Sequence, residues 1–99
     1  MDSKEIRSEL NEIRKMVHDM AAIPEEHRIV AYRKVDLLFL KLEGYLSKHP
    51  ELRASDLLDE IKMNVISLAR LEETAGEPET VYTRQVDSLI EDIASILCP

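Results

Sequence analysis

Apolar residues recur at steps of three and four along four successive stretches of this chain, and prolines or a Gly-containing segment separate the stretches. That spacing lines one face of a helix with 3.6 residues per turn, so the pattern predicts four amphipathic helices. The first covers about residues 3–21, with Ile6, Leu10, Ile13, Val17 and Met20 turned inward. Asp2 with Glu5 three residues later makes a capping-box pattern, and Ser3 offers a second cap. The second helix, about 24–48, opens on Pro24, whose missing N–H costs nothing in a first turn, and Glu25 and Glu26 suit the positive end of the helix dipole. Its inward stripe reads Ala31, Val35, Leu38, Leu42 and Tyr45, and His49-Pro50 ends it, because the residue before proline disfavours helical geometry.

The third helix, about 55–73, takes Ser55 as N-cap with Asp56 and Asp59 in its first turn, and Pro50 can start a short turn ahead of it. Leu58, Ile61, Val65, Leu68 and Leu71 form its stripe. Residues 74–78 make the clearest loop: Gly76 accepts a left-handed conformation and Pro78 blocks helix continuation. A fourth helix, about 79–97, starts near Glu79 or Thr80 and carries Tyr82, Val86, Leu89, Ile93 and Ile96 inward. Short connections favour antiparallel neighbours, so the expected fold is all-α: an antiparallel up-down four-helix bundle forming a single domain over residues 1–99.

An offset of 51 residues aligns Leu10 with Ile61, Val17 with Leu68 and Met20 with Leu71. It also aligns Arg33-x-Val35-Asp36 with Arg84-x-Val86-Asp87, and Leu38 with Leu89. Shared heptad spacing produces such matches by chance, whereas Arg-x-Val-Asp lies partly outside the apolar pattern. If the chain is a repeated helical hairpin, its halves superpose and Arg33, Asp36, Arg84 and Asp87 hold equivalent positions; otherwise these four are surface charges at helical spacing.

Helix 2 is apolar beyond the needs of one stripe. Leu37, Leu38, Phe39 and Leu40 are consecutive, and at about 100° per residue they wrap most of the circumference. Either this helix has neighbours on several sides, or Tyr32, Phe39 and Leu40 leave an exposed patch for a partner, for which a homodimer through helix 2 is the simplest arrangement.

Charge narrows the choice of partner. The net charge of -7 arises wholly in the second half, where four Lys or Arg face eleven Asp or Glu, against nine and nine in residues 1–50. Nucleic acid requires a basic face, so no nucleic-acid partner is expected, and a basic protein surface suits the acidic half better. No apolar run reaches the roughly 20 residues a bilayer span requires, and residues 1–5 lack a signal-peptide pattern, so an unprocessed, soluble, cytoplasmic chain without membrane contact is expected. The lone Cys98 excludes an internal disulfide and a cysteine zinc framework.

Candidate chemistry is sparse. The chain has no Gly-rich phosphate loop, no His-x-x-x-His and no Glu-x-x-His, and His18, His27 and His49 are scattered among charged or loop-like residues. The carboxylates Glu9 and Glu12 on one helix, with Asp56, Asp59 and Glu60 opening another, could bind Mg²⁺ through oxygen. Glu9-x-x-Glu12 and Asp56-x-x-Asp59 resemble the paired acidic motifs of the all-α nucleoside-triphosphate pyrophosphohydrolases, although that family has Glu where Asp56 stands and a shorter separation of the pairs. The resemblance implies Mg²⁺-dependent nucleotide hydrolysis. A second likeness is to the helical-hairpin phosphatases of response-regulator aspartyl phosphates, but their Ser-Gln-x-x-Asp element reads Tyr32-Arg33-Lys34-Val35-Asp36 and Thr83-Arg84-Gln85-Val86-Asp87 here, without the Ser and Gln. The favoured expectation is a small acidic protein-interaction or regulatory module with no cofactor and no catalytic residues; the alternative is the pyrophosphohydrolase-like enzyme.

Overall fold

The computed structural model describes residues 2–69 and 78–99. Among them, four α-helices occur and no strand: α1 (Ser3–Ala22), α2 (Arg28–Ser47), α3 (Ser55–Leu68) and α4 (Glu79–Leu97). Packing runs round a ring, α1 against α2, α2 against α3, α3 against α4 and α4 back against α1, while α1 and α3 meet only lightly across the centre. Neighbours are antiparallel. Glu9 and Ala21 of α1 meet Lys41 and Arg28 of α2, and Arg7 and His18 of α1 meet Cys98 and Asp87 at the end and middle of the α4 segment. The result is the four-helix bundle that the apolar spacing predicts, with a radius of gyration of 13.1 Å, close to the value of about 13 Å for a compact chain of this length.

Local signals set most helix ends. Asp2 caps α1 by accepting the Glu5 N–H at 2.8 Å, and Ile23 turns extended before Pro24 to end it. The second helix differs from expectation at its start: residues Glu25–His27 form a 3-10 turn, and regular α-helix begins only at Arg28. Before α3 the expected short turn forms at Pro50–Leu52. Arg53 then adopts a left-handed conformation (φ 54°). Ser55 is the first helical residue rather than the cap; that position falls to Ala54, which has no capping side chain and is buried in the core, so packing rather than side-chain capping sets this start. Leu71, Thr74 and Gly76, and with them the expected end of helix 3 and most of the 74–78 loop, lie outside the described residues.

One apolar core runs the length of the bundle. The predicted stripes of α1 and α3 are buried as expected: Ile6, Leu10, Ile13, Val17 and Met20, and Leu58, Ile61, Val65 and Leu68. Those of α2 and α4 need correcting by a partial turn. In α2 the buried positions are Val35, Phe39, Leu42 and Leu46, whereas Ala31, Leu38 and Tyr45 are half-buried. In α4, Ile90 and Leu97 join Tyr82, Val86 and Ile93 inside, Leu89 is half-buried and Ile96 is exposed. Both helices offered several apolar faces, and contact with neighbours on two sides chose among them.

The offset of 51 residues reappears in the core. Val35, Phe39, Leu42 and Leu46 of α2 map onto Val86, Ile90, Ile93 and Leu97 of α4, and all eight are buried. In the other pair of helices, Leu10 and Val17 map onto buried Ile61 and Leu68, but Ile6 and Ile13 fall one residue short of buried Leu58 and Val65.

Arg28 is the one buried charged residue among those described, 4% exposed. Its guanidinium donates to the carbonyls of Ala21 (3.3 Å) and Ile23 (3.2 Å) at the end of α1 and of Leu68 (3.0 Å) at the end of α3. It also pairs with Glu79 (3.3 Å) in the first turn of α4. Helix C-termini leave carbonyls without intrahelical partners and carry negative dipole ends, so one cation ties down three helices at this end of the bundle. At the other end, Arg7 donates to the Cys98 carbonyl (3.3 Å) and the Cys98 thiol to the Ser3 carbonyl (3.4 Å), joining the first turn of α1 to the chain leaving α4.

Candidate functional site

The side of α2 facing away from the core is also apolar. Leu37 is 63% exposed, Val30 58% and Leu40 54%, with Ile29 beside them. Their spacing is regular: Val30, Leu37 and Gly44 are seven residues apart, and Arg33, Leu40 and Ser47 each follow one of them by three, giving the alternating steps of three and four that make a helix-docking seam. Lys34, Lys41 and Lys48 follow one edge of this seam, toward α1, and Asp36 and Glu43 the other, toward α3. Two grooves, each of about 460 Å³, indent the lysine edge at its ends. Met16, Met20, Ile23 and Val30 line one, and Leu40, Lys41, Gly44, Tyr45 and Lys48 line the other.

Of the expected contact residues Tyr32, Phe39 and Leu40, only Leu40 belongs to this face. Phe39 is fully buried and is a core residue: three positions from Leu42 and four from Val35, it lies on the inward stripe. Tyr32 is half-buried in the α2–α3 seam. Burial pushes its phenol up from the ordinary value near 10, and the charges of Asp36 and Glu43 add to the rise against the opposing pull of Lys62. Leu37, Val30 and Ile29 take the places of these two. The signal was present in the sequence as the second heptad seam of helix 2, but apolar content alone does not say which of two seams points outward.

Across the α2–α3 seam, Lys62 lies 3.3 Å from Glu43 and 3.7 Å from Asp36, the latter an ion pair too long to be a hydrogen bond. Partial burial works against the ammonium, but the hydrogen bond to Glu43 and the charges of Glu43 and Asp36 outweigh it and hold Lys62 above its ordinary value. The equivalent aspartate of α4, Asp87, faces α1: it lies 2.9 Å from His18 Nε2 and 3.6 Å from Arg14 Nε. Arg33 and Arg84, the other aligned pair, are both exposed. Near the end of α2, the His49 ring packs on Tyr45 with ring centres 4.5 Å apart, and its Nδ1 lies 3.1 Å from Glu51. Glu51 is held below the ordinary carboxylate value by its own backbone N–H and then by His49.

The carboxylates considered for Mg²⁺ do not converge. Glu9 turns toward Lys41 of α2 (3.4 Å), Glu12 is exposed, and Asp56 and Asp59 are exposed at the start of α3, diagonal to α1 in the ring. Among the described residues, no three His, Cys, Asp or Glu side chains come together as a metal site. The first and third helices carry the pairs and stand diagonal to each other, so helical spacing brought the members of each pair together but tertiary packing kept the pairs apart.

The fourth helix provides an internal control for α2. At the offset that aligns their buried stripes, Leu37 corresponds to Ser88, Leu40 to Glu91, Lys41 to Asp92 and Gly44 to Ser95, all four of them exposed on α4. At these four positions a helix with an equivalent inward stripe is thus polar, as burial-driven folding allows, although Val30 corresponds to half-buried Val81 and α4 exposes Ile96 elsewhere. The outer leucines of α2 are surplus to the core. No protein-family model, no curated protein and no solved structure matches this chain.

Proposed function

We propose that this protein is a non-catalytic interaction module that docks a helix on the outer face of α2. The observation that carries the reading is the contrast just drawn: equivalent buried stripes on α2 and α4, but leucines outside on the one where the other has serine and glutamate. Solvent-facing apolar stripes at a/d spacing offer the anchors that amphipathic helices use to pack against one another. The acidic second half, with Asp56, Asp59 and Glu60 on α3 and Glu91 and Asp92 on α4 exposed, supports a second preference for basic protein surfaces and disfavours nucleic acid.

An intracellular, cytoplasmic setting belongs to this reading, since the one cysteine, Cys98, is a buried free thiol. Among the described residues, no helix is long and apolar enough to cross a membrane. The test is photochemical. A benzophenone amino acid replacing Leu37, in cells expressing the chain, is expected to give protein adducts that the same group replacing Ser88 does not. Equal labelling from both positions, or none from position 37, would refute the docking face.

A further inference from the structure

The geometry points to a second copy of this chain as the occupant of the α2 face, with the two α2 helices parallel and in register. This inference rests on the interaction reading above and names its partner. Three observations carry it. Side chains Val30, Leu37 and Leu40 are exposed at seam spacing, so two copies related by a twofold axis along α2 stack like on like, Leu37 on Leu37 and Leu40 on Leu40, with the long side chain of Arg33 turned out to solvent beside its own copy.

The edges of the seam are also complementary to themselves. Parallel pairing sets the lysine edge of each helix beside the acidic edge of the other, bringing Lys41 toward Asp36 and Lys48 toward Glu43 of the second copy. Antiparallel pairing would instead set lysines against lysines and acids against acids. The present partners of these groups, Glu9 for Lys41 and Lys62 for Asp36 and Glu43, lie at 3.3–3.7 Å on the half-exposed flanks and can be shared across the interface.

Gly44 is the third observation. It lies inside α2 with ordinary helical φ, and an added Cβ would meet nothing within 4 Å, so neither backbone conformation nor internal packing calls for glycine. A glycine in a helix interior is destabilising relative to alanine. On the seam, seven residues after Leu37, it lets a second backbone come close. A specific interface takes about 800 Å² from each partner, and one helix face about 30 Å long supplies less, so the pairing belongs to the weak, micromolar class.

Sedimentation equilibrium at micromolar to submillimolar concentration is the first test, and a monomer–dimer equilibrium is expected. Replacing Leu37→Lys should weaken it at least tenfold with the helical circular dichroism unchanged. The change Gly44→Ala should raise the melting temperature of the monomer yet weaken the dimer, a split that a purely structural glycine would not give. Orientation is read by oxidising Gly44→Cys in a Cys98→Ser chain. Parallel pairing brings the two introduced thiols together and gives a disulfide dimer, whereas the antiparallel register places Gly44 opposite Arg33 and separates them by about 16 Å, beyond disulfide reach. A dimer without that disulfide overturns the parallel pairing. A strict monomer whose position-37 photoadducts are all to other proteins overturns self-association and leaves the docking face standing; a monomer with no adducts overturns both.

Discussion

The second and fourth helices of this bundle are alike inside and unlike outside. Val35, Phe39, Leu42 and Leu46 of α2 and their counterparts Val86, Ile90, Ile93 and Leu97 of α4 are all buried, and Asp36 and Asp87 sit at equivalent seams, each facing a cation on the next helix. Their solvent sides diverge, from Leu37, Leu40 and Gly44 on one to Ser88, Glu91 and Ser95 on the other. The core therefore constrains one face of each helix and leaves the other to be set by something besides folding. That separation makes the two faces independently testable.

The largest effects belong to the shared inner face. Alanine at Phe39 and at Ile90 should each destabilise the fold by about 3–4 kcal/mol, because the lost transfer energy is joined by the cost of the cavity. Chemical denaturation measures both, and a loss at Phe39 below about 1 kcal/mol would return that residue to the surface patch. Next comes the end of the bundle where Arg28 ties the helices together. The substitution Arg28→Met should cost about 2–4 kcal/mol, since it removes the donor to the Ala21, Ile23 and Leu68 carbonyls at the ends of α1 and α3.

The two aspartate seams differ in alkali. Lys62, held above its ordinary value of 10.5, gives stability that is fully present below that pH and is lost as the pH rises through its folded value. Tyr32, raised from 10.0, acts in the same direction, because its neutral phenol is the favoured form in the folded chain. At the other seam Asp87 faces the guanidinium of Arg14 rather than an ammonium. Melting temperatures should therefore fall as pH rises beyond about 10, and Lys62→Arg should reduce the fall; an unchanged alkaline profile in that variant would remove Lys62 as its source.

The smallest expected effect on stability is the most informative about function. Grafting the outer residues of α4 onto α2, as Leu37→Ser with Leu40→Glu, should alter folding stability by no more than about 0.5 kcal/mol while abolishing association. A graft that unfolds the protein would mean that these leucines serve the core after all.

Much of this molecule was legible in its sequence, and the parts that were not have a common cause. In α1 and α3, the apolar residues at steps of three and four are the buried ones, so the stripes read directly from spacing, and Asp2 marked its helix start by side-chain chemistry. Helix α2 was ambiguous because Leu37 to Leu40 present apolar groups in nearly every direction, and the choice of Phe39 for the interior and Leu37 for the exterior depends on where α1 and α3 lie. Arg28 gave no signal, since an arginine near a helix start looks like any surface charge until three helix ends converge on it. The carboxylate pairs failed the opposite way: spacing joined Glu9 to Glu12 and Asp56 to Asp59, but only packing could bring one pair to the other, and it did not. Periodicity is a local property, fixed by the pitch of one helix, and it determined the number and kind of elements. Which of several apolar faces turned inward, which charge was enclosed and which leucines stayed in water were decided by the neighbours each helix met.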